Sequence, residues 1–500
     1  MGEFILAIDQ GTTGSTALIV GKDGVTRARH NVEFAQHFPQ PGWVEHDADE
    51  IWASVEIACR EALRKSGVKP SDIVAIGITN QRETTVIWDR ATKTPIHRAI
   101  VWQDRRTADR CNQLKNEAGV AAAIRERTGL VLDAYFSGTK VEWLLDQVPD
   151  ARKRAERGEL AFGTIDSFLV SRLTSGEVHV TDATNASRTL LMDIRNGDWS
   201  DWLLERFRVP RAVLPKIVGS AEIVGRTKGV GFIHDGVPIA GIAGDQQAAL
   251  FGQACFQKGD VKCTYGTGAF VLMNLGATPL FSSHGLVTTI AWKIAGKTTY
   301  ALEGSAFIAG AAVQWLRDGL GLIGSAAEVE ALASSVPSTD GVHFVPALAG
   351  LGAPYWDQDA RGLICGITRG TTRAHLARAA LEGVAFQVFD LVDAMRRDAG
   401  VSLSRLRVDG GAAQNNLLMQ MQADFTRVVV ERPVDLESTA RGAALLAGVG
   451  VGLLGLDDAS RVVQLDRRFE SNVSEVEQFE KLRGWRLAVA RARGMVLPPP

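Results

Sequence analysis

An apolar strand that runs into a glycine-and-threonine turn and returns as a second apolar strand occurs once in each half of this chain. The first copy reads Phe4–Ile8, then Asp9-Gln10-Gly11-Thr12-Thr13-Gly14, then Ala17–Val20. The second reads Val261–Thr264, then Tyr265-Gly266-Thr267-Gly268, then Phe270–Leu275. Such a turn exposes backbone N–H groups, its glycines admit an anion without a Cβ in the way, and its threonines add hydroxyl donors. Either turn alone reads as an ordinary β-hairpin. The pair points to two similarly built halves facing each other, with a phosphate-bearing ligand between them.

Elsewhere strand-like and helix-like segments alternate, the pattern of an α/β protein. Ile51–Leu63 reads as a helix starting at Asp47–Glu50, and Ile73–Thr79 and Thr85–Trp88 read as strands. With 500 residues the chain has material for two to four folding units. The division is placed near residue 250, giving domains 1–250 and 251–500, with a Gly- and Pro-bearing stretch, Gly341–Gly362, inside the second.

Fifty-five Lys and Arg against 57 Asp and Glu leave a net charge of −2, which excludes a polybasic nucleic-acid binder. A hydrophobic share of 46% excludes disorder. The five cysteines (Cys59, Cys111, Cys255, Cys263 and Cys365) are scattered and form no C-x-x-C pair, against both a disulfide framework and a structural zinc site. Met1–Gln10 has an acid at Glu3 and only a short apolar run, so no signal peptide is expected. Gly442–Leu456, the longest uncharged stretch, is too short to span a bilayer and reads as a tightly packed helix with a glycine-rich end. A cytoplasmic protein without membrane insertion is the expectation.

Rival phosphate motifs are absent or misplaced. No G-x-x-x-x-G-K-[ST] occurs. A G-x-G-x-x-G at Gly450, Gly452 and Gly455 follows a helical run rather than a strand, and its glycines read as packing residues. Arg407–Gly411 followed by Asn415–Phe425 reads as strand, Gly410-Gly411 turn and helix, which would bring backbone close to a ligand at a helix N-terminus. Polar groups stand beside apolar strands at Arg82-Glu83, at Asp245-Gln246 and at Tyr135, where α/β sheets bind ligands. Asp9, at a strand end, could hold Mg²⁺. Taken singly, Arg82-Glu83 reads as a solvated ion pair and Asp245 as a helix N-cap ahead of Gln246–Phe251.

Together these segments resemble the glycerol kinases, a branch of the FGGY carbohydrate kinases. The resemblance rests on Asp9–Thr13, Asn80–Thr85, Trp102-Gln103, Tyr135–Gln147, Gly241–Gln247, Tyr265–Phe270, Gly362–Glu382 and Asp409–Asn416. It implies a two-domain actin-like ATPase (ribonuclease H-like) fold with an interdomain cleft, polyol with the first domain and nucleotide with the second. It implies ATP-dependent phosphorylation of glycerol to sn-glycerol 3-phosphate, the opening step of glycerol catabolism, in a homodimer or homotetramer. Arg82, Glu83, Tyr135, Asp245 and Gln246 would hold the glycerol hydroxyls, and Trp102 and Phe270 its carbon chain. Thr12, Thr13, Thr267, Gly310, Gln314, Gly411 and Asn415 would contact ATP or ADP, Asp245 would be the general base, and Asp9 would serve Mg²⁺.

Two departures from that pattern matter. Relatives carry Ser-Ser-Arg after the threonine pair, with the Arg on a nucleotide phosphate; here the residues are Gly14-Ser15-Thr16. Another cation or Mg²⁺ is therefore expected to compensate. The loop Thr227–Gly236 holds no Arg, where some relatives bind fructose 1,6-bisphosphate through a Gly/Arg run, and insensitivity to that inhibitor is expected. His234 in this loop reads as a surface histidine. Two rival readings are an FGGY kinase for another polyol or sugar, and a non-catalytic actin-like nucleotide binder.

Overall fold

The computed structural model describes residues 3–401 and 403–495; Met1 and Gly2, where the segment read for a leader begins, lie outside them. Each half is built on one sheet. In the first, Phe4–Gln10, Gly14–Gly21 and Thr26–Glu33 form an antiparallel meander, and Ile73–Asn80 then Pro238–Gly244 run parallel on the other side of Phe4–Gln10. In the second, Val261–Tyr265, Ala269–Gly276 and Lys297–Ala306 form the meander, with Arg405–Asp409 and Val429–Pro433 parallel beside Val261–Tyr265. Counted along the chain within each half, both sheets read third, second, first, fourth, fifth. The echo between the two hairpins is thus the visible part of a five-strand repeat. Edge strands Gly225–Arg226, Val287–Ile294 and Leu465–Phe469 extend the two sheets.

Local chemistry accounts for the element ends. The helix Ala48–Ser66 starts where Asp47 accepts from the N–H groups of Asp49 and Glu50, and it stops at Gly67, whose φ of 67° suits glycine. The strand Arg405–Asp409, the turn at Gly410-Gly411 and the helix Asn416–Thr426 follow one another as the sequence suggests, with the turn drawn out into a single 3₁₀ turn, Gly411–Gln414.

Two helices carry the connection between the sheets: Asp245–Gly252, and Ser438–Gly450 from the second half, which packs on Phe4–Gln10, Ile73–Asn80 and Pro238–Gly244 of the first. Backbone meets backbone here. A Cβ on Gly442 would lie 1.8 Å from the Ala248 carbonyl oxygen, and one on Gly252 would lie 2.0 Å from that of Ser438. Gly450 likewise faces the Ala240 carbonyl at 2.1 Å, which makes it the packing glycine its sequence suggests. Gly452 and Gly455 correct that reading: Gly452 turns the chain at φ 72° with nothing beside it, and Gly455 precedes the short helix Leu456–Arg461. Gly442→Ala is expected to lower the calorimetric unfolding midpoint through an overpacking cost of about 1–3 kcal/mol. An unchanged midpoint would refute the close approach.

Candidate active site

The site lies between the sheets, and one side of it starts from a residue in unusual backbone. Glu83 follows the strand Ile73–Asn80 with φ at 60°, a left-handed conformation that a non-glycine residue holds only when its surroundings enforce it. Its Oε1 accepts from Arg188 Nε at 2.6 Å, and Arg82 Nε lies 3.8 Å away. Arg82 donates from both terminal nitrogens to Glu303, at 2.5 and 2.9 Å, while Arg188 Nη2 donates to the same carboxylate at 2.9 Å. Two guanidiniums and two carboxylates thus form one buried, alternating network. Burial alone would raise the Glu303 carboxyl, but Arg188 and Arg82 hold it down at about 2. Glu83 stays above its usual range, since burial outweighs the pull of its two arginines.

Asp245 is reached through Arg82, whose Nε lies 3.1 Å from Asp245 Oδ1. It is not the helix cap: the cap position belongs to Gly244, and Asp245 is the first residue of Asp245–Gly252. Its side chain is 31% exposed. Gln246 donates to Asp245 Oδ2 at 3.1 Å through Nε2 and accepts from Lys262 Nζ at 2.5 Å through Oε1. Lys262 is buried, which lowers its ammonium pKa, and it also donates to Thr264 Oγ1 at 2.8 Å and the Phe270 carbonyl at 3.3 Å.

An aromatic wall stands alongside. The Trp102 ring meets Tyr135 edge-on at 5.6 Å and Phe270 at 6.4 Å, and its Nε1 donates to Thr12 Oγ1 at 3.0 Å. Tyr135 is buried, and burial pushes its phenol up. Trp102, Tyr135 and Thr267 line a cavity of about 300 Å³ with Phe307, Ile308 and Trp356. A second cavity, of about 480 Å³, is lined by Thr267, Gly310, Gln314, Gly411 and Asn415. The two cavities share Thr267, at the tip of the second glycine-and-threonine turn. Asn415 also caps the helix Asn416–Thr426 by accepting from Leu418 N at 2.9 Å. Thr13 is exposed in the first turn, and its side chain makes no hydrogen bond among the described residues.

Asp9 stands at the end of Phe4–Gln10. Its carboxyl is pushed up to about 8 by burial and by the charges of Glu437 and Asp245, with Arg29 opposing. Both oxygens of buried Asp409, on the parallel strand paired with Thr264, lack a hydrogen-bond partner among the described residues. Among those residues no group of three or more His, Cys, Asp or Glu is arranged to hold a metal by itself. That donor set fits Mg²⁺, which characteristically takes one or two carboxylates and otherwise phosphate and water oxygens.

Arg188, Glu303 and Lys262 are functional candidates that reading the sequence missed. The available signal was physical: Glu303 and Lys262 are lone charges inside apolar strands, and a buried charge requires a buried partner.

Comparison with known proteins adds the lineage. Residues 4–252 match the N-terminal domain of the FGGY family of carbohydrate kinases, and residues 261–451 match its C-terminal domain. The chain belongs to the FGGY carbohydrate kinases. Among curated proteins it is similar to glycerol kinase of Deinococcus radiodurans, at 58% identity with 98% of each chain covered. It is also similar to glycerol kinase of Solidesulfovibrio magneticus, at 56% identity over 99% of this chain and 100% of that one. Among solved structures, glycerol kinase of Plasmodium falciparum with ADP superposes at a TM-score of 0.90, with 37% identity and 98% of each chain covered. Gluconate kinase of Lactobacillus acidophilus, at 22% identity and a TM-score of 0.87, shares the fold. The kinase therefore has the two-lobed α/β architecture expected of the actin-like ATPases. Among its described residues, no helix is long and apolar enough to cross a membrane.

Proposed function

We propose that this kinase transfers the terminal phosphoryl group of ATP to a primary hydroxyl of glycerol, giving sn-glycerol 3-phosphate and ADP. The observation that carries the reading is the meeting of the two cavities at Thr267: a polyol held by the aromatic wall and a nucleotide held beyond Thr267 would present their reacting ends to each other. The similarity to glycerol kinases over nearly the whole chain supports glycerol as the polyol. We keep the two-domain division at residue 250, polyol with 1–250 and nucleotide with 251–500.

Glycerol has about six heavy atoms, so little affinity is available unless each hydroxyl is matched. Arg188 occupies one oxygen of Glu83 and leaves the other for a hydroxyl, while the one Arg82 Nη2 N–H that Glu303 does not take and the Tyr135 hydroxyl supply donors. Gln246 orients Asp245, and Trp102 and Phe270 cover the carbon chain. The attacking hydroxyl oxygen bonds to the γ-phosphorus as the bond to the bridging oxygen of ADP breaks, and its proton passes to the Asp245 carboxylate. Thr12, Thr13, Thr267, Gly310, Gln314, Gly411 and Asn415 would bind the nucleotide. Asp9 would serve Mg²⁺, directly or through water, and the ion when bound supplies charge neutralisation on the phosphates. Five unpaired cysteines support a reducing cytoplasm, and a homodimer or homotetramer remains the expected assembly.

The test is ADP release with Mg-ATP across glycerol, other polyols and pentuloses. Glycerol should give the largest kcat/KM; a pentulose preferred over glycerol overturns the reading. Fructose 1,6-bisphosphate should leave the rate unchanged, and dose-dependent inhibition would contradict that expectation. In the loop it would need, His234 is exposed and Arg226, just outside, is tied to the Gly236 carbonyl at 2.8 Å.

A further inference from the structure

Four carboxylates belong to this part of the molecule: Asp9 near the end of its strand, Asp409 on the strand paired with Thr264, Asp245 at 3.1 Å from Arg82 and Glu437 at 3.1 Å from Arg29. Asp9 feels the charges of Glu437 and Asp245, and Glu437 that of Asp409. A nucleotide polyphosphate brings several more negative charges, and one divalent cation offsets only part of them. A protein cation facing the phosphates would offset the remainder. Arg82 and Arg188 are locked in the buried network, and Lys262 already donates to three acceptors.

Arg29 is placed differently. It lies on the strand Thr26–Glu33, opposite Leu18 and two residues from Asn31, the partner of Thr16 in the ladder. Thr16 Oγ1 donates to Asn31 Oδ1 at 2.9 Å, so Thr16, Asn31 and Arg29 share one face of the sheet. That face also carries Leu18, which packs with Ala440 and Ala444 of the helix that Glu437 leads into. The Arg29 guanidinium lies 3.1 Å from Glu437, with the two side chains 49% and 39% exposed. An ion pair so open to solvent contributes little, and exchanging its carboxylate for a phosphate costs little. A guanidinium can also grip a phosphate through two parallel N–H bonds.

We infer that Arg29 is the phosphate-binding cation of this kinase, moving from Glu437 to the nucleotide when it enters and doing from the neighbouring strand what position 16, a threonine, cannot. The inference rests on the nucleotide side of the proposed function. It is tested by calorimetric titration of ADP and of adenosine into the wild type, Arg29→Ala, and Arg29→Ala combined with Thr16→Arg. Arg29→Ala should weaken ADP by about ten- to a hundredfold, the range for a hydrogen bond to a charged group. Adenosine, which has no phosphate, should bind as before. The second substitution should recover most of the lost ADP affinity, because it returns a cation to the same face. Unchanged ADP affinity in Arg29→Ala, an equal loss for adenosine, or no recovery in the double variant would overturn the inference. A wild type that binds ADP but does not phosphorylate glycerol would instead overturn the substrate assignment and leave this titration valid.

Discussion

Asp245→Asn should bind glycerol within about fivefold of the wild type while its kcat falls by about 10²- to 10⁴-fold, the usual worth of a general base. The asparagine carbonyl can replace Oδ1 as acceptor for Arg82 Nε and for the Gln246 N–H. Its amide would face Gln246 Nε2, so one hydrogen bond is lost, a cost of about 0.5–1.5 kcal/mol. What disappears is the carboxylate proposed to accept the proton from the attacking hydroxyl. Glycerol binding by calorimetry and single-turnover phosphoryl transfer separate the two effects. Unaltered turnover would remove Asp245 from the role of base.

The second large effect belongs to stability. Arg188→Ala removes the partner of two carboxylates whose side chains are almost wholly buried, leaving Arg82 to compensate both. Breaking one side of a buried ionic network costs about 3–5 kcal/mol, because the remaining charge has no water to turn to. The lost contact with the Phe136 face, 5.1 Å from the guanidinium, adds to this. The pH dependence has a definite sign. In the wild type Glu303 titrates at about 2 instead of 4.5; its stabilising contribution is present above 4.5 and lost as pH falls through 2. Without Arg188 its carboxyl rises, so the variant's deficit should be largest at neutral pH and shrink on acidification, as protonation relieves the unpaired charge. Scanning calorimetry at pH 5 and pH 7.5 reads both effects; a deficit equal at the two would discount the network as its cause.

Much of this site was legible because its parts are local. The two turns, the Arg82-Glu83 pair and the Asp245-Gln246 pair each lie at the end of a short apolar strand, where few neighbours decide their conformation. The sheet repeat was only half legible, since Ile73–Asn80 and Pro238–Gly244 join Phe4–Gln10 across long stretches of chain and leave no local mark on the sequence. The Arg82–Glu83–Arg188–Glu303 network escaped for the same reason. Its members come from three well-separated segments, and each looks like an ordinary charge until the fold desolvates it. Glycine was read too uniformly. Gly450 admits a neighbouring backbone while Gly452 turns the chain, and that difference is one of surroundings and φ rather than residue type. Position 16 shows the converse: Thr16 pairs with Asn31 and Arg29 with Leu18 on the next strand, so the register brings Arg29 to the face of Thr16 although 13 residues separate them in the chain.

The glycine-lined crossing of Asp245–Gly252 and Ser438–Gly450 bears on how the lobes can move. Interlocked side chains act as teeth, and a joint built from them shifts in discrete steps between packed arrangements. Main chain lying on main chain has no teeth at Gly252 and Gly442, so small rotations there meet a smooth surface. Asp245 is carried on one of the two rods, and Glu437 stands at the foot of the other. A slight swivel at this bearing would therefore shift Asp245 and Glu437, the ion-pair partner of Arg29, in a single movement.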